Sequence, residues 1–196
     1  MGGSGLVSGP GNIVGQPDGR SDLELVAALN AGDTGAFDTL YHRHRDWVVN
    51  LAFRFTGDRD LALDVLQETF LYFVKKFPGF QLTANLRTFF YPAVRNLSLT
   101  ARRKTERVQS SEADQERIES APAADAPVAE GEALTLALAG MSESYREVVW
   151  LRFVDGLALA EIAEVLEIPV GTVKSRLHHA LEALRRDERI RNLFEP

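Results

Sequence analysis

The chain has 196 residues, 45% of them hydrophobic and 26% charged, and a formal net charge of -6. That is length enough for one full core or two small ones, in a composition ordinary for a globular protein. It contains no cysteine, which excludes disulfides, thiol catalysis and cysteine-bearing zinc sites. No apolar run reaches the roughly 18–20 residues that span a bilayer, so no direct membrane insertion is expected.

Residues 1–20 are rich in glycine and hold no apolar block. They read as a flexible leader rather than a secretory signal, and a cytoplasmic location is the expectation. Ser21 and Glu24 have capping-box spacing ahead of Leu25, Val26 and Leu29, and Gly32-Asp33 breaks that helix. A longer helix follows, with Phe37, Leu40, Tyr41, Trp47, Val48, Leu51, Ala52 and Phe55 at three- and four-residue steps, ending at Gly57. The next stripe runs Leu61, Ala62, Val65, Leu66, Thr69, Phe70, Phe73, Val74 and Phe77, and Pro78-Gly79 stops it. A fourth helical region covers roughly 85–104. Pro92 lies inside it, so the spacing predicts a bend or a later helix start there.

These helices give a compact all-helical domain over 21–107. Residues 108–133 are acidic, rich in alanine and interrupted by Pro122 and Pro127. They lack the apolar area needed to offset the entropy of ordering and read as a flexible linker that holds the halves apart. A second helical domain covers 134–191, with helices expected at 133–140, 142–154, 158–166 and 170–186. The fold class is all-α: two small helical domains joined by an acidic linker.

Charge is divided along the chain. Residues 81–107 carry a local net of +5, from Arg87, Arg95, Arg102, Arg103, Lys104 and Arg107 against Glu106. Residues 110–133 carry a local net of -6. This order suits a chain that binds nucleic acid through one region and can cover that region with another, although a solvated basic face beside an acidic linker remains open.

The most informative local pattern lies near the C-terminus. Leu159 to Leu166 form a short amphipathic helix, Glu167-Ile168-Pro169 a tight turn, and Val170 opens a second helix. Pro169 suits a helix start and Ala163 permits close crossing, so the pair reads as a helix-turn-helix. Val173, Leu177, Ala180, Leu181 and Leu184 face inward. Thr172, Lys174, Ser175 and Arg176 are then candidates for phosphates and base edges in a major groove, with His178 and His179 flanking the backbone. A plain helical hairpin with a basic surface is the bland alternative.

Three pieces in order carry a family resemblance. They are Asp64-Val-Leu-Gln-Glu-Thr-Phe70 after Gly57-Asp58, then Arg95-Asn96 with Arg102-Arg103, then Ser144-Tyr-Arg-Glu-Val-Val149 with Gly156, Glu161-Ile-Ala and Ile168 to Leu177. The sequence resembles the bacterial sigma-70 family, in its small extracytoplasmic-function class. The resemblance implies that core RNA polymerase binds the helix carrying Asp64, Gln67 and Glu68, with Leu71 on the same outer face. It implies that Phe80, Asn85, Arg87, Arg95, Asn96, Arg102 and Arg103 hold the opened non-template strand of a -10 promoter element. It implies that the helix-turn-helix reads duplex DNA at a -35 element, and that an anti-sigma factor is a partner.

The sequence departs from the family pattern at Phe89-Phe90, where Trp-Leu is usual. It departs again at Pro92, where a basic residue is common, at Thr100 for an acidic residue, and at His179 for an arginine. No glycine-rich phosphate loop, metal cluster or nucleophile–base arrangement is present, so neither catalysis nor a cofactor is expected. Two other functions fit the same residues. One is a sigma-like module that only occupies an anti-sigma factor. The other is a two-domain regulator that never joins polymerase.

Overall fold

The computed structural model of the chain describes residues 18–112 and 132–187. Among them are eight α-helices, one π-helical turn and no strand. The first four helices are α1 (Asp22–Asn30), α2 (Thr34–Thr56), α3 (Arg59–Val74) and α4 (Leu86–Glu112). The second four are α5 (Glu132–Ala139), α6 (Glu143–Val149), α7 (Leu159–Leu166) and α8 (Val170–Arg186). Residues 1–17 of the expected leader and most of the expected linker lie outside the described residues.

The helix boundaries follow from local chemistry. Ser21 caps α1, and the Glu24 carboxylate reaches back to accept from the Ser21 N–H at 2.7 Å, completing the capping box. Asp33 caps α2 through the Gly35 N–H at 3.0 Å, and Gly57 ends that helix at φ 68°, a left-handed position that suits glycine. Asp58 starts α3 by accepting from the N–H groups of Asp60 and Leu61. That helix ends at Val74, ahead of the expected stop at Pro78-Gly79.

Pro92 does not delay α4, which starts at Leu86 and continues through it. Two features explain this. Asn85 anchors the start, its side-chain oxygen accepting from Arg87 N–H at 3.0 Å and its carbonyl from Thr88 N–H at 2.9 Å. Leu86, Phe90, Tyr91 and Val94 are buried on both sides of Pro92, while the proline itself is exposed. Tertiary packing thus offsets a penalty of about 3 kcal/mol for a proline inside a helix. The helix also runs five residues past the expected boundary at 107.

The core of the first four helices is aromatic. The Phe73 ring lies 5.1–6.4 Å from those of Phe70, Phe77, Phe80, Phe89 and Phe90. Most of these contacts are tilted or edge-on, the arrangement that ring quadrupoles favour. Asn30 ties the loop after α3 to α1. Its amide donates to the Phe80 carbonyl and accepts from the Gly79 N–H, both at 2.7 Å. At the first residue of α1, Asp22 accepts from Arg43 at 2.7 Å and lies 2.7 Å from the buried ring of His44.

In the second four helices, α8 packs on α6 and α7. A π-helical turn over Trp150–Val154 follows α6, and the Asp155 N–H donates to the Trp150 carbonyl at 2.9 Å. Such turns are rare and concentrate at functional positions. The expected separation of the two halves is absent. One continuous apolar cluster joins Leu86, Phe90 and Val94 to Val148, Leu151, Leu157 and Ile162. Close packing between α4 and α7 accompanies it.

Candidate nucleic-acid and polymerase interfaces

The outer face of α3 carries the first group of expected site residues. Ala62, Val65, Leu66, Thr69, Phe70 and Phe73 are buried, so the helix turns Asp64, Gln67, Glu68 and Leu71 to solvent. Leu71 is 54% exposed, and Leu63, Tyr72 and Val74 are exposed beside it. Exposed apolar groups among acids and amides, on a rigid helix anchored by an aromatic core, form a surface suited to another protein.

The second group divides in two. Asn96, Arg102 and Arg103 are exposed along α4, with Arg102 in a surface ion pair to Glu106 at 3.1 Å. An ion pair of that kind is worth about 0–1 kcal/mol and yields readily to a phosphate. Phe80, Asn85, Arg87 and Arg95 are differently placed. Phe80 is half-buried in the aromatic cluster, so packing accounts for its ring. Asn85 is occupied as the helix cap described above. Phe80, Asn85, Thr88 and Phe89 nevertheless line an open cleft, and Glu164 of α7 completes its wall.

Arg87 and Arg95 face the second half of the molecule. Arg87 Nη1 donates to the Asp155 carbonyl at 2.6 Å, with its guanidinium over the Trp47 ring at 5.6 Å. Arg95 lies 4.0 Å from Glu147. Between them on the same face of α4, the buried Tyr91 hydroxyl donates to Glu147. Burial, followed by the neighbouring Glu147 carboxylate, pushes the Tyr91 phenol well above its ordinary range.

The centre of this contact is Asp155, whose side chain is 1% exposed. Its carboxylate accepts from Trp47 Nε1 at 2.7 Å and from Arg54 Nη2 at 2.9 Å on each oxygen. Arg54 also lies over the Trp150 ring at 5.2 Å. A buried carboxylate without partners is costly, so this fork of donors is what allows it to sit between the halves.

These residues escaped the sequence reading. Asp155 is a lone acid in the apolar stretch Trp150–Leu157, which was the available signal. Trp47 looked like one more member of a core stripe. Its partner is 108 residues away, and helical periodicity carries no information over that distance.

The third group lies on the helix-turn-helix. Ala158 has no side-chain acceptor, so only the Glu161 half of a capping box forms, its carboxylate accepting from the Ala158 N–H at 2.7 Å. Glu167 leaves α7 at φ 54°, ψ 41°, and the Ile168 N–H closes back on the Ala163 carbonyl at 3.0 Å. That is a left-handed helix exit, and Pro169 then sets up α8.

Val173 and Ala180 are fully buried, and Leu177 packs on the same core. Lys174, Ser175, His178 and His179 are exposed, while Thr172 and Arg176 are half-buried. His178 lies 3.9 Å from Glu182, and the His179 ring stacks on Tyr145 at 6.2 Å. The leading turns of α8 thus present a polar, cationic face beyond a turn. Phosphates and base edges are recognised by that arrangement.

Comparison with known proteins matches both halves. The sigma-70 region 2 family model matches residues 40–108, and the sigma-70 region 4 model matches residues 131–184. The ECF RNA polymerase sigma factor SigW of Bacillus subtilis is 30% identical over 177 residues, covering 84% of this chain and 95% of SigW. Two solved structures share the fold. CnrH, in complex with the cytosolic domain of CnrY, aligns with a TM-score of 0.58 at 21% identity, over 83% of this chain and 93% of CnrH. The sigma factor RpoE of Bartonella quintana, in complex with the anti-sigma factor NepR, aligns with a TM-score of 0.55 at 22% identity, over 81% of this chain and 96% of RpoE. At those identities the structures speak for the fold alone.

Proposed function

The chain belongs to the sigma-70 family of RNA polymerase sigma factors, in the extracytoplasmic-function class, and from that membership we propose how its surfaces divide the work of promoter recognition. The outer face of α3, through Asp64, Gln67, Glu68 and Leu71, docks on core RNA polymerase. The helix-turn-helix reads duplex DNA at the -35 element. Lys174 and Arg176 reach phosphates or guanines, Thr172 and Ser175 donate to phosphates or base edges, and His178 and His179 lie near the backbone. His179 stands where the family usually has arginine, and an imidazole lacks the planar fork of donors with which arginine grips a phosphate.

The -10 element is opened rather than read as duplex. Unstacked bases need a receptacle and phosphates need cations. The cleft beside Phe80 and Asn85 supplies the first. Arg87, Arg95, Asn96, Arg102 and Arg103 supply the second. The factor contributes binding energy that holds parted strands, while polymerase forms the phosphodiester bonds, so it works as a non-enzymatic regulator without a cofactor. The working division of the chain is a leader over 1–20, a polymerase and -10 domain over 21–107, an acidic linker over 108–133 and a -35 domain over 134–191.

None of the helices among the described residues is long and apolar enough to cross a membrane. We place the factor in the cytoplasm with the polymerase. Because RpoE of Bartonella quintana was solved with an anti-sigma factor, we extend to this chain an inhibitory partner of that class.

The observation that carries the reading is the exposed, polar leading face of α8 beyond the Glu167 turn, on the same chain as the outward acidic and apolar face of α3. Purified factor added to core polymerase should yield promoter-specific runoff transcripts. DNA binding without polymerase binding would replace the reading with a free-standing regulator. Binding to an anti-sigma factor alone would replace it with a decoy.

A further inference from the structure

We propose that Lys76, just past the end of α3, is a further phosphate ligand of the opened -10 strand, and that Tyr72 is the residue that positions it. The proposal rests on the assignment of α4 and the cleft beside Phe80 and Asn85 to that strand.

A run of ring contacts leads outward from the cleft. Phe89 lines its wall. The exposed Tyr72 ring stacks on Phe89 at 5.8 Å and 10°, the most nearly parallel of the described ring pairs. Lys76 then lies over Tyr72, with Nζ 4.5 Å from the ring centroid. The stack thus holds a cation of α3's end within two ring contacts of the cleft. Phe89 stands where the family usually has tryptophan, so the wall ring is smaller here, and Tyr72 adds a second ring beside it.

Helix termination does not account for this placement. A lysine at a helix C-terminus serves that end by turning its ammonium to the last carbonyls. The Lys76 backbone N–H does close on the Phe73 carbonyl at 3.0 Å, but its ammonium goes to the Tyr72 ring. Among the described residues no carboxylate pairs with that ammonium and no carbonyl accepts from it. A ring face attracts an ammonium yet offers no oxygen acceptor, so the donors remain for a phosphate. Other cations assigned to the strand are already engaged. Arg87 donates to the Asp155 carbonyl, Arg95 lies beside Glu147, and Arg102 pairs with Glu106.

Tyr72 also marks a boundary on α3. Leu71, one residue before it, belongs to the outward face assigned to polymerase, whereas Tyr72 turns to Phe89 of α4. Lys76 follows Tyr72 by one helical turn and continues that second face.

The test uses holoenzyme and a short fluorescein-labelled single strand of mixed sequence, with core polymerase alone as the control. Lys76→Gln should make the slope of log affinity against log salt shallower by about 0.7. Between about 50 and 200 mM salt, native holoenzyme should then lose roughly 2.6-fold more strand affinity than the variant. Tyr72→Leu should weaken strand binding about 2–5-fold, and Tyr72→Phe, which keeps the ring, should bind as native does. Once Lys76→Gln is present, adding Tyr72→Leu should change affinity by less than about twofold, because the two act as one unit. An unchanged slope in Lys76→Gln would overturn the assignment of Lys76. A Tyr72→Phe variant as weak as Tyr72→Leu would overturn the role given to the ring. Weakened association with core polymerase at a native strand slope would place both residues in the polymerase interface instead. Arg102→Ala with Arg103→Ala separates the two levels. If that variant also binds the strand as native factor does, the -10 assignment of α4 fails; if it alone loses affinity, only the roles of Lys76 and Tyr72 fail.

Discussion

Replacing Lys174 by glutamine removes one charge from the leading turns of α8 while keeping a long polar side chain. Lys174 is exposed there and Val173 beside it is fully buried, so the helix should stay seated on its core. If the ammonium holds one phosphate, the slope of log affinity against log salt should become shallower by about 0.9. Between about 50 and 200 mM salt, native holoenzyme should then lose roughly 3.5-fold more affinity for a -35 duplex than the variant loses. Arg176 offers an internal contrast. If it reads a guanine edge, Arg176→Ala should cost about 1–3 kcal/mol at the matching base pair and little elsewhere. Fluorescence anisotropy with reconstituted holoenzyme over a salt series measures both. Native affinity and slope in both variants would refute the placement of α8 in the groove.

Three other outcomes test separate surfaces. Asp64→Lys should weaken association with core polymerase by at least about tenfold, a shift of 1.4 kcal/mol, while circular dichroism stays native; unimpaired association in a direct binding assay would reject the α3 interface. Arg102→Ala with Arg103→Ala should reduce promoter unwinding, read by a fluorescent base analogue in the -10 element, more than it reduces core binding. Asp22 gives a pH-dependent outcome. Burial opposes its ionisation, but hydrogen bonds from His44 and Arg43 outweigh this and hold the carboxyl below its ordinary value. Its contribution to stability is therefore complete above the ordinary carboxylate range and fades as pH falls through the lowered folded value. Asp22→Asn should flatten the acid limb of a stability-against-pH curve, and an unchanged limb would contradict the assignment.

The elements that were legible in the sequence are those set by neighbours in the chain. The Ser21–Glu24 capping box, the Gly57 stop and the break at Glu167-Ile168-Pro169 each depend on atoms within a few residues, and each stands in the structure as the spacing predicts. The exposed face of α3 and the leading face of α8 follow from helical period in the same way. Long-range chemistry was not legible. Pro92 also allows a late helix start, but α4 begins at Leu86, where the Asn85 cap and the buried residues on either side of the proline hold it. Charge order argued for halves held apart. They pack together instead, through a continuous apolar cluster and the carboxylate of Asp155, 101 and 108 residues from its donors. The resemblance and the local charge point to Arg87 and Arg95, and only the fold reveals the internal acceptors beside them, the Asp155 carbonyl and the Glu147 carboxylate.

The most direct test is selection of bound promoters from a random duplex library by holoenzyme assembled from this chain, with core polymerase alone as the control. Two enriched sequence blocks at a constant spacing, lost from the upstream block when Lys174 and Arg176 are both replaced by alanine, is the expected result. A single block, or the same sequences recovered by core polymerase alone, would contradict recognition of a two-part promoter by this protein.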